Sequence, residues 1–274
     1  MLSQKADWRR FLVLLGCLWI TQAAALAPMR LQLNWLHQFE FAGYYAALEQ
    51  GFYRDAGLDV RLIEGGPKIT PSAEVLAGRA EIGVGSSGIL LARERNPELL
   101  VLGVIFQHSP AVLLSLRGKG IQKIADLSGK RLMDSPNSAD TMAMLKASGV
   151  DPQSMQRVDH GGNPAELIQD KADVMVAYSV NEPFVLEEKG VPYVMFSPRS
   201  VGIDFYGDNF FTTYSLQEAR REEVEAFRLA SLKGWKYALK HKEEIVDLIL
   251  AKYSQQKSRE ALLYEAHQSE QLIQ

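Results

Sequence analysis

The chain has 274 residues, with 30 Lys and Arg against 33 Asp and Glu and one cysteine, Cys17. This slightly acidic balance leaves no basic footprint for nucleic acid. The five histidines, His37, His108, His160, His241 and His267, lack ligand spacing, so neither a metal site nor a nucleic-acid partner is expected.

Lys5, Arg9 and Arg10 precede the apolar run from Phe11 to Ile20, and Ala23-Ala24-Ala25-Leu26-Ala27 follows. That order reads as a secretory signal over residues 1–27, cut after Ala27. The run is short for a bilayer span; an uncleaved anchor is the alternative. Leu14-Leu15-Gly16-Cys17 is a lipoprotein-like pattern, but little apolar sequence precedes it. Cleavage would leave about 27 Lys and Arg, 32 Asp and Glu and no cysteine. The exported, periplasmic product would carry no disulfide, thiolate nucleophile or cysteine metal site, and is long enough to rest on its core.

Met29, Leu31 and Leu33 alternate with polar residues as a half-buried strand does, and the apolar period turns helical through Ala42, Tyr45, Ala46 and Phe52. The loop between holds Asn34, Trp35, His37, Gln38, Phe39, Glu40 and Phe41. Aromatic area with an amide and a carboxylate beside it suits a flat, nitrogen-containing ring. Loops at the carboxyl ends of strands are where open α/β sheets bind ligands. Asn34, Trp35, His37 and Phe41 are therefore candidate ligand contacts; the plainer reading puts the aromatics in the core.

Further strands are expected near 59–64, 81–85, 99–105, 111–116, 131–134, 174–177 and 193–196. Thr70-Pro71 reads as a capped helix start. Gly83-Val84-Gly85-Ser86-Ser87-Gly88 spells G-x-G-x-x-G, but the strand that should offer an acid to a ribose ends in Gln107-His108-Ser109. A hydrolase elbow fails because Ile89 stands where its second Gly should be. What remains is a helix start whose N–H groups and hydroxyls at Gly85, Ser86 and Ser87 suit an anion, or else a serine-capped turn. Gln107 at the strand end and Ser138 at the next helix start join the candidates.

An internal echo organises the chain. Gly57-Leu58-Asp59, Glu74 and Arg79 to Val84 recur 92 residues later as Gly149-Val150-Asp151, Glu166 and Lys171 to Val176. Glu64-Gly65-Gly66 is echoed less regularly by His160-Gly161-Gly162. Each half is a strand-loop-helix-strand unit, which makes the chain α/β. Residues 28–115 with 210–274 form the first expected lobe and 116–209 the second. The echo sets Gly85-Ser86 against Ala177-Tyr178 at matching strand ends. Tyr178, Asn181 and Glu182 then offer a ring, an amide and a carboxylate opposite Trp35, unless Asn181 caps a helix that Pro183 enters. Asp204 lies in a crossover back to the first half and reaches either the ligand or a turn. From Leu216 onward the period is helical.

Leu33-Asn34-Trp35, Gly43-Tyr44-Tyr45-Ala46-Ala47, Gly51-Phe52-Tyr53 with Gly57-Leu58-Asp59-Val60, Leu76-Ala77-Gly78 with Ile82-Gly83, Asp126-Leu127-Ser128-Gly129-Lys130 and Glu182-Pro183 are in order and spacing similar to one family. The chain resembles, over nearly all of 29–273, the periplasmic binding proteins for thiamine pyrimidine precursors and alkanesulfonates, which include the eukaryotic thiamine pyrimidine synthase. Gln107 to Pro110, Ser197 to Ser200 and Gly202 to Asp208 look most like members fused to membrane-tethered histidine kinase or diguanylate cyclase modules. The resemblance implies a two-lobed type II fold with a mixed, mainly parallel sheet in each lobe. It also implies a small heterocyclic or anionic ligand touched by Asn34 and Trp35 and accepted by Glu182. The implied partner is an ABC transporter permease or a signalling module, and members usually run on beyond the position of Gln274. The competing class is the synthase. Its pyridoxal-phosphate lysine and nearby histidine are matched here by Gly85 and Ile89, and its cysteine-rich motif is missing. No cofactor and no catalytic residue is therefore expected, since a Schiff base needs an amine.

Overall fold

The computed structural model describes residues 25–135 and 138–273, so most of the expected signal segment lies outside the described residues. Ten strands run in chain order: β1 (Ala27–Gln32), β2 (Leu58–Ile63), β3 (Ile82–Gly85), β4 (Leu99–Val104), β5 (Ala111–Leu116), β6 (Arg131–Met133), β7 (Gln156–Val158), β8 (Val174–Tyr178), β9 (Tyr193–Phe196) and β10 (Asn209–Thr213). They form two five-stranded sheets, ordered β2-β1-β3-β10-β4 and β7-β6-β8-β5-β9. In the first, β1 pairs parallel with β2 and β3 while β10 runs antiparallel between β3 and β4. In the second, β6 pairs parallel with β7 and β8 while β5 runs antiparallel between β8 and β9. The two sheets therefore share one plan.

The echo read from the sequence has a physical basis in shared local bonds. Arg79 binds Glu74 through Nε and its neighbouring nitrogen at 2.6 and 2.9 Å, and Lys171 binds Glu166 at 3.0 Å, 92 positions on. Glu81 accepts from the backbone N–H and guanidinium of Arg30 on β1, and Asp173 accepts from those of Arg131 on β6. Gly78 and Asp170, the same offset apart, are both left-handed, with φ of 69° and 57°. Asp tolerates that region better than most side chains.

Strand β5 corrects the expected lobe boundary at 115. Residues 111–116 pair only with β8 and β9, so the chain leaves the first sheet before Ala111. It returns through residues 197–208 into β10, which the periodicity did not mark as a strand. Asn209 to Thr212 are all buried, so no polar face alternates with an apolar one. The two crossings lie side by side: Gly207 N–H donates to Phe106 O at 2.8 Å, Ser109 N–H to Phe205 O at 2.8 Å and Ile105 N–H to Asp208 O at 2.7 Å.

From Tyr214 onward the chain is helical, as expected, in Tyr214–Ala219, Arg221–Lys240, Lys242–Lys252 and Arg259–Ile273. Thr213 Oγ1 caps the first of these by accepting from Leu216 N–H at 3.2 Å. Pro71 does open the helix Pro71–Leu76, but the Thr70 hydroxyl makes no capping bond. Among the described residues no helix is long and apolar enough to cross a membrane.

The largest core cluster packs the first sheet against Ala42–Glu49 and the later helices through Phe39, Phe41, Tyr44, Tyr45, Phe227 and Trp235. Ala42–Glu49 lies so close to Arg221–Lys240 that a Cβ on Gly234 would come within 2.1 Å of Gly43 O. This approach holds the loop that precedes Ala42–Glu49, where several site residues sit. Gly234→Ala is expected to lower unfolding free energy by at least about 1–3 kcal/mol, the usual cost of overpacking, as measured by chemical denaturation.

Candidate ligand-binding site

The loop after β1 is tied to the end of β2. Leu33 N–H donates to Ile63 O, Gly65 N–H donates to Trp35 O, each at 2.9 Å, and the Gln32 amide bridges Leu33, Ile63 and Glu64 carbonyls. Trp35 thereby stands at the edge of the cleft between the sheets, where its ring meets His160 of the second half edge-on at 5.6 Å. Beyond the facing end of β8, Glu182 accepts the Tyr178 N–H and the Asn181 side-chain amide, both at 2.7 Å. A small cavity of about 30 Å³ lies between these two groups. Trp35, Gln38 and Glu40 line it from one side, and Ser135, His160, Tyr178, Asn181 and Glu182 from the other.

Among the described residues no lysine or arginine lines this cavity, and its walls carry buried carboxyl groups. Burial pushes Glu182 up to about 7, despite nearby Lys257 and the donated Tyr178 N–H, which oppose the rise. Behind the cavity, burial raises Asp208 to about 7 and holds its neighbour Glu40 well above the ordinary range. If both were ionised, Glu40 Oε1 and Asp208 Oδ2 would have no donor. A proton on either carboxyl would supply one, in line with the direction in which burial moves both. Tyr178 of the second half donates to Asp208 Oδ1 at 3.3 Å. His160 Nε2 lies 2.9 Å from Val176 O, and its Nδ1 accepts from Gly162 N–H at 3.0 Å. A carbonyl can only accept, so the proton sits on Nε2, and burial lowers the ring's pKa and keeps it neutral.

The sequence candidates separate into three groups. Trp35, Tyr178, Asn181 and Glu182 meet at the first cavity. Gly85, Ser86, Ser87 and Ser138 line a second, wider space of about 600 Å³ along the same cleft, where Ser87 Oγ donates to Asp140 of the other half. Asn34 lies behind Trp35, 2% exposed, with neither carboxamide atom partnered by protein. The remaining candidates lie elsewhere. Phe41 is fully buried in the first core, as the plainer reading held. His37 binds the Tyr45 hydroxyl at 2.8 Å and packs between Tyr45 and Tyr253. Gln107 is exposed, its side chain turned back to Val104 O and its backbone N–H donated to Leu272 O at 2.7 Å. Asp204 pairs with His108 at 2.9 Å, fastening the two crossings together. Asn181 heads the helix Glu182–Glu188 but makes no capping bond with its side chain. Its carbonyl oxygen accepts from Lys257 instead.

Sequence reasoning did not name as candidates Gln38, Glu40 and His160, which line the cavity, or Lys257, which bonds to Gln38 and Asn181 beside it. For His160 a signal was present: the echo sets His160-Gly161-Gly162 against Glu64-Gly65-Gly66, so both halves place a polar residue at the same loop. Lys257 gave none, because it is distant in sequence from every other member.

Comparison with known proteins agrees with this architecture. The chain belongs to the NMT1/THI5-like family, whose profile matches residues 38–245. It is 22% identical over 233 residues to the formylaminopyrimidine-binding protein of Halalkalibacterium halodurans, covering 82% of this chain and 71% of that protein. It is 23% identical over 233 residues to the riboflavin-binding protein RibY of Chloroflexus aurantiacus, covering 82% and 66%. Among solved structures, the alkanesulfonate-binding protein SsuA of Xanthomonas axonopodis pv. citri bound to MOPS superposes with a TM-score of 0.69 at 15% identity, covering 89% of this chain and 85% of that one. A Candida albicans protein with the generic periplasmic binding protein fold gives 0.67 at 14%, covering 91% and 82%. The fold is that of the periplasmic binding proteins.

Raised carboxyl values have a definite sign. Glu182 and Asp208 bind protons on folding, so each contributes less stability as pH rises from the ordinary carboxyl range through about 7. His37 and His160, lowered by burial, act the opposite way as pH falls through the usual histidine range. Carboxyl-carbon NMR isolates the acids: Glu182 and Asp208 are expected to titrate near 7 in the ligand-free protein.

Proposed function

We propose that this protein is an exported solute-binding protein that encloses a flat, nitrogen-containing ring bearing hydrogen-bond donors, of the aminopyrimidine class. The observation that carries this reading is the convergence of Glu182 and Glu40 on an aromatic-edged cavity whose neighbouring cation, Lys257, is already engaged by Gln38, Asn181 and Glu265. An amino group or protonated ring nitrogen would give Glu182 a donor and Trp35 a ring to pack on. An anion placed there would meet two carboxyl groups in a site where charge is poorly screened. The named relatives that bind a formylaminopyrimidine and a flavin handle rings of this kind. The signal-like residues 1–27 support a periplasmic location. An ABC transporter permease is the partner this reading implies, and a membrane signalling module is the alternative.

A second reading places an anionic solute beside Ser86 and Ser87, where Arg95 and Lys146 also line the cleft. Asp140 opposes it by occupying Ser87 and standing in the same space. Calorimetric titration separates the two: formylaminopyrimidine is expected to bind and MOPS is not. Glu182→Gln is expected to weaken the ring ligand about ten-fold or more, since hydrogen bonds to charged groups are worth ~1.5–3 kcal/mol. Unchanged affinity in that variant, or tight binding of MOPS alone, would defeat the assignment.

The synthase alternative needs a lysine where this chain has Gly85, which brings no amine to the cleft. Borohydride reduction after incubation with pyridoxal phosphate is expected to leave no lysine adduct within the cleft. A single adduct there, mapped by peptide mass spectrometry, would return the enzyme reading to first place.

A further inference from the structure

Lys257 lies in the turn between the helices Lys242–Lys252 and Arg259–Ile273, distant in sequence from the loops that line the cavity. Its ammonium is 2.6 Å from Gln38 Oε1, 2.5 Å from Asn181 Oδ1 and 2.9 Å from Glu265 Oε2. An ammonium carries three donors and no acceptor, so these three bonds use all of it. They also settle which way both amides face, because only the oxygen of a carboxamide can receive an N–H. The Asn181 nitrogen is then turned to Glu182 Oε1 at 2.7 Å and to Gln38 Oε1 at 3.2 Å. The Gln38 nitrogen is turned to Glu40 Oε2. One cation thus directs two amides, and each amide delivers a donor to a carboxyl group on the cavity wall.

The network spans the cleft. Gln38, Glu40 and Glu265 belong to the half built on the first sheet, and Asn181 and Glu182 to the half built on the second. Glu265, fully buried, also accepts the Glu40 backbone N–H at 2.7 Å, which seats the loop carrying Gln38 and Glu40 on the last helix. The remaining short-range alternative, an ion pair that merely stabilises the fold, accounts for Glu265. It leaves unexplained why the same ammonium reaches an amide on each side of the cavity.

We propose that Lys257 is a positioning residue for ligand: it fixes the polarity of Gln38 and Asn181, so that Glu40 and Glu182 present acceptors to the cavity, and it latches the two halves in that arrangement. This rests on the reading of the cavity as the ligand site. Without Lys257, either amide is free to rotate, Glu182 loses its side-chain donor, and the bond from the C-terminal helices to the second half is gone.

The test uses Lys257→Met and the double variant Lys257→Met/Glu265→Gln, the second to avoid stranding a buried carboxylate. Two readouts apply. The first is ligand-free: side-chain amide signals of Asn181 and Gln38 in nitrogen-15 NMR, assigned by their loss in Asn181→Asp and Gln38→Glu. They are expected to be protected from solvent exchange in the unaltered protein and to lose protection in the double variant. The second is calorimetric affinity for formylaminopyrimidine, expected to fall about ten-fold or more in the double variant, as for other hydrogen bonds to charged groups. Amide signals that stay protected in the double variant, or affinity that holds within about two-fold, would overturn the proposal. If the unaltered protein does not bind formylaminopyrimidine, the ligand reading fails separately. The amide signals then decide the role of Lys257 alone, their loss supporting it and their persistence overturning it.

Discussion

Each five-stranded sheet is completed by a strand that comes from the other half. The chain leaves β4 of the first sheet and enters the second as β5, then leaves β9 and returns as β10. Both exchanged strands are antiparallel to their neighbours, and both crossings run together through Phe106, Phe205 and Gly207. This exchange forces the two sheets to face each other across a cleft joined at one side. It also sets the loops after β1, β3 and β8 on the rim of that cleft, where α/β sheets present ligands with loop residues rather than core.

The chemistry of the cleft follows from burial. Glu40, Glu182, Asp208 and Glu265 are withdrawn from water near one another, and the cation bonded within the group is Lys257. Taking that much negative charge out of water is costly unless it is protonated, paired or met by donors. All three means operate here: burial favours the protonated forms of Glu40 and Asp208, Lys257 pairs with Glu265, and backbone and amide donors reach Glu182. The cavity wall that results offers acceptors, and a solute that brings donors completes it.

Legibility in the sequence varied with the kind of signal. Most strands were visible within one or two residues because their apolar periods are local. The 92-residue echo was visible because the same turn, ion pair and left-handed residue are needed in both halves. β10 was hidden by having no exposed face. Trp35, Tyr178, Asn181 and Glu182, marked by their place near strand ends, line one cavity. His37, Phe41, Gln107 and Asp204 flank strand ends or crossings too, yet they face a tyrosine pair, the core, solvent and a histidine. Position along the chain does not report which way a loop side chain turns.

The sequence by itself determined the α/β class, the two matched halves, the C-terminal helices and the loops from which a site would be built, since each follows from period, spacing or turn chemistry over short segments. Tertiary structure decided which sheet takes β5 and β10, which loop residues face the cleft, and that Lys257 sits among Gln38, Asn181 and Glu265. Those outcomes depend on contacts between residues as many as 225 positions apart, and no local pattern encodes a meeting that is created only when the core closes.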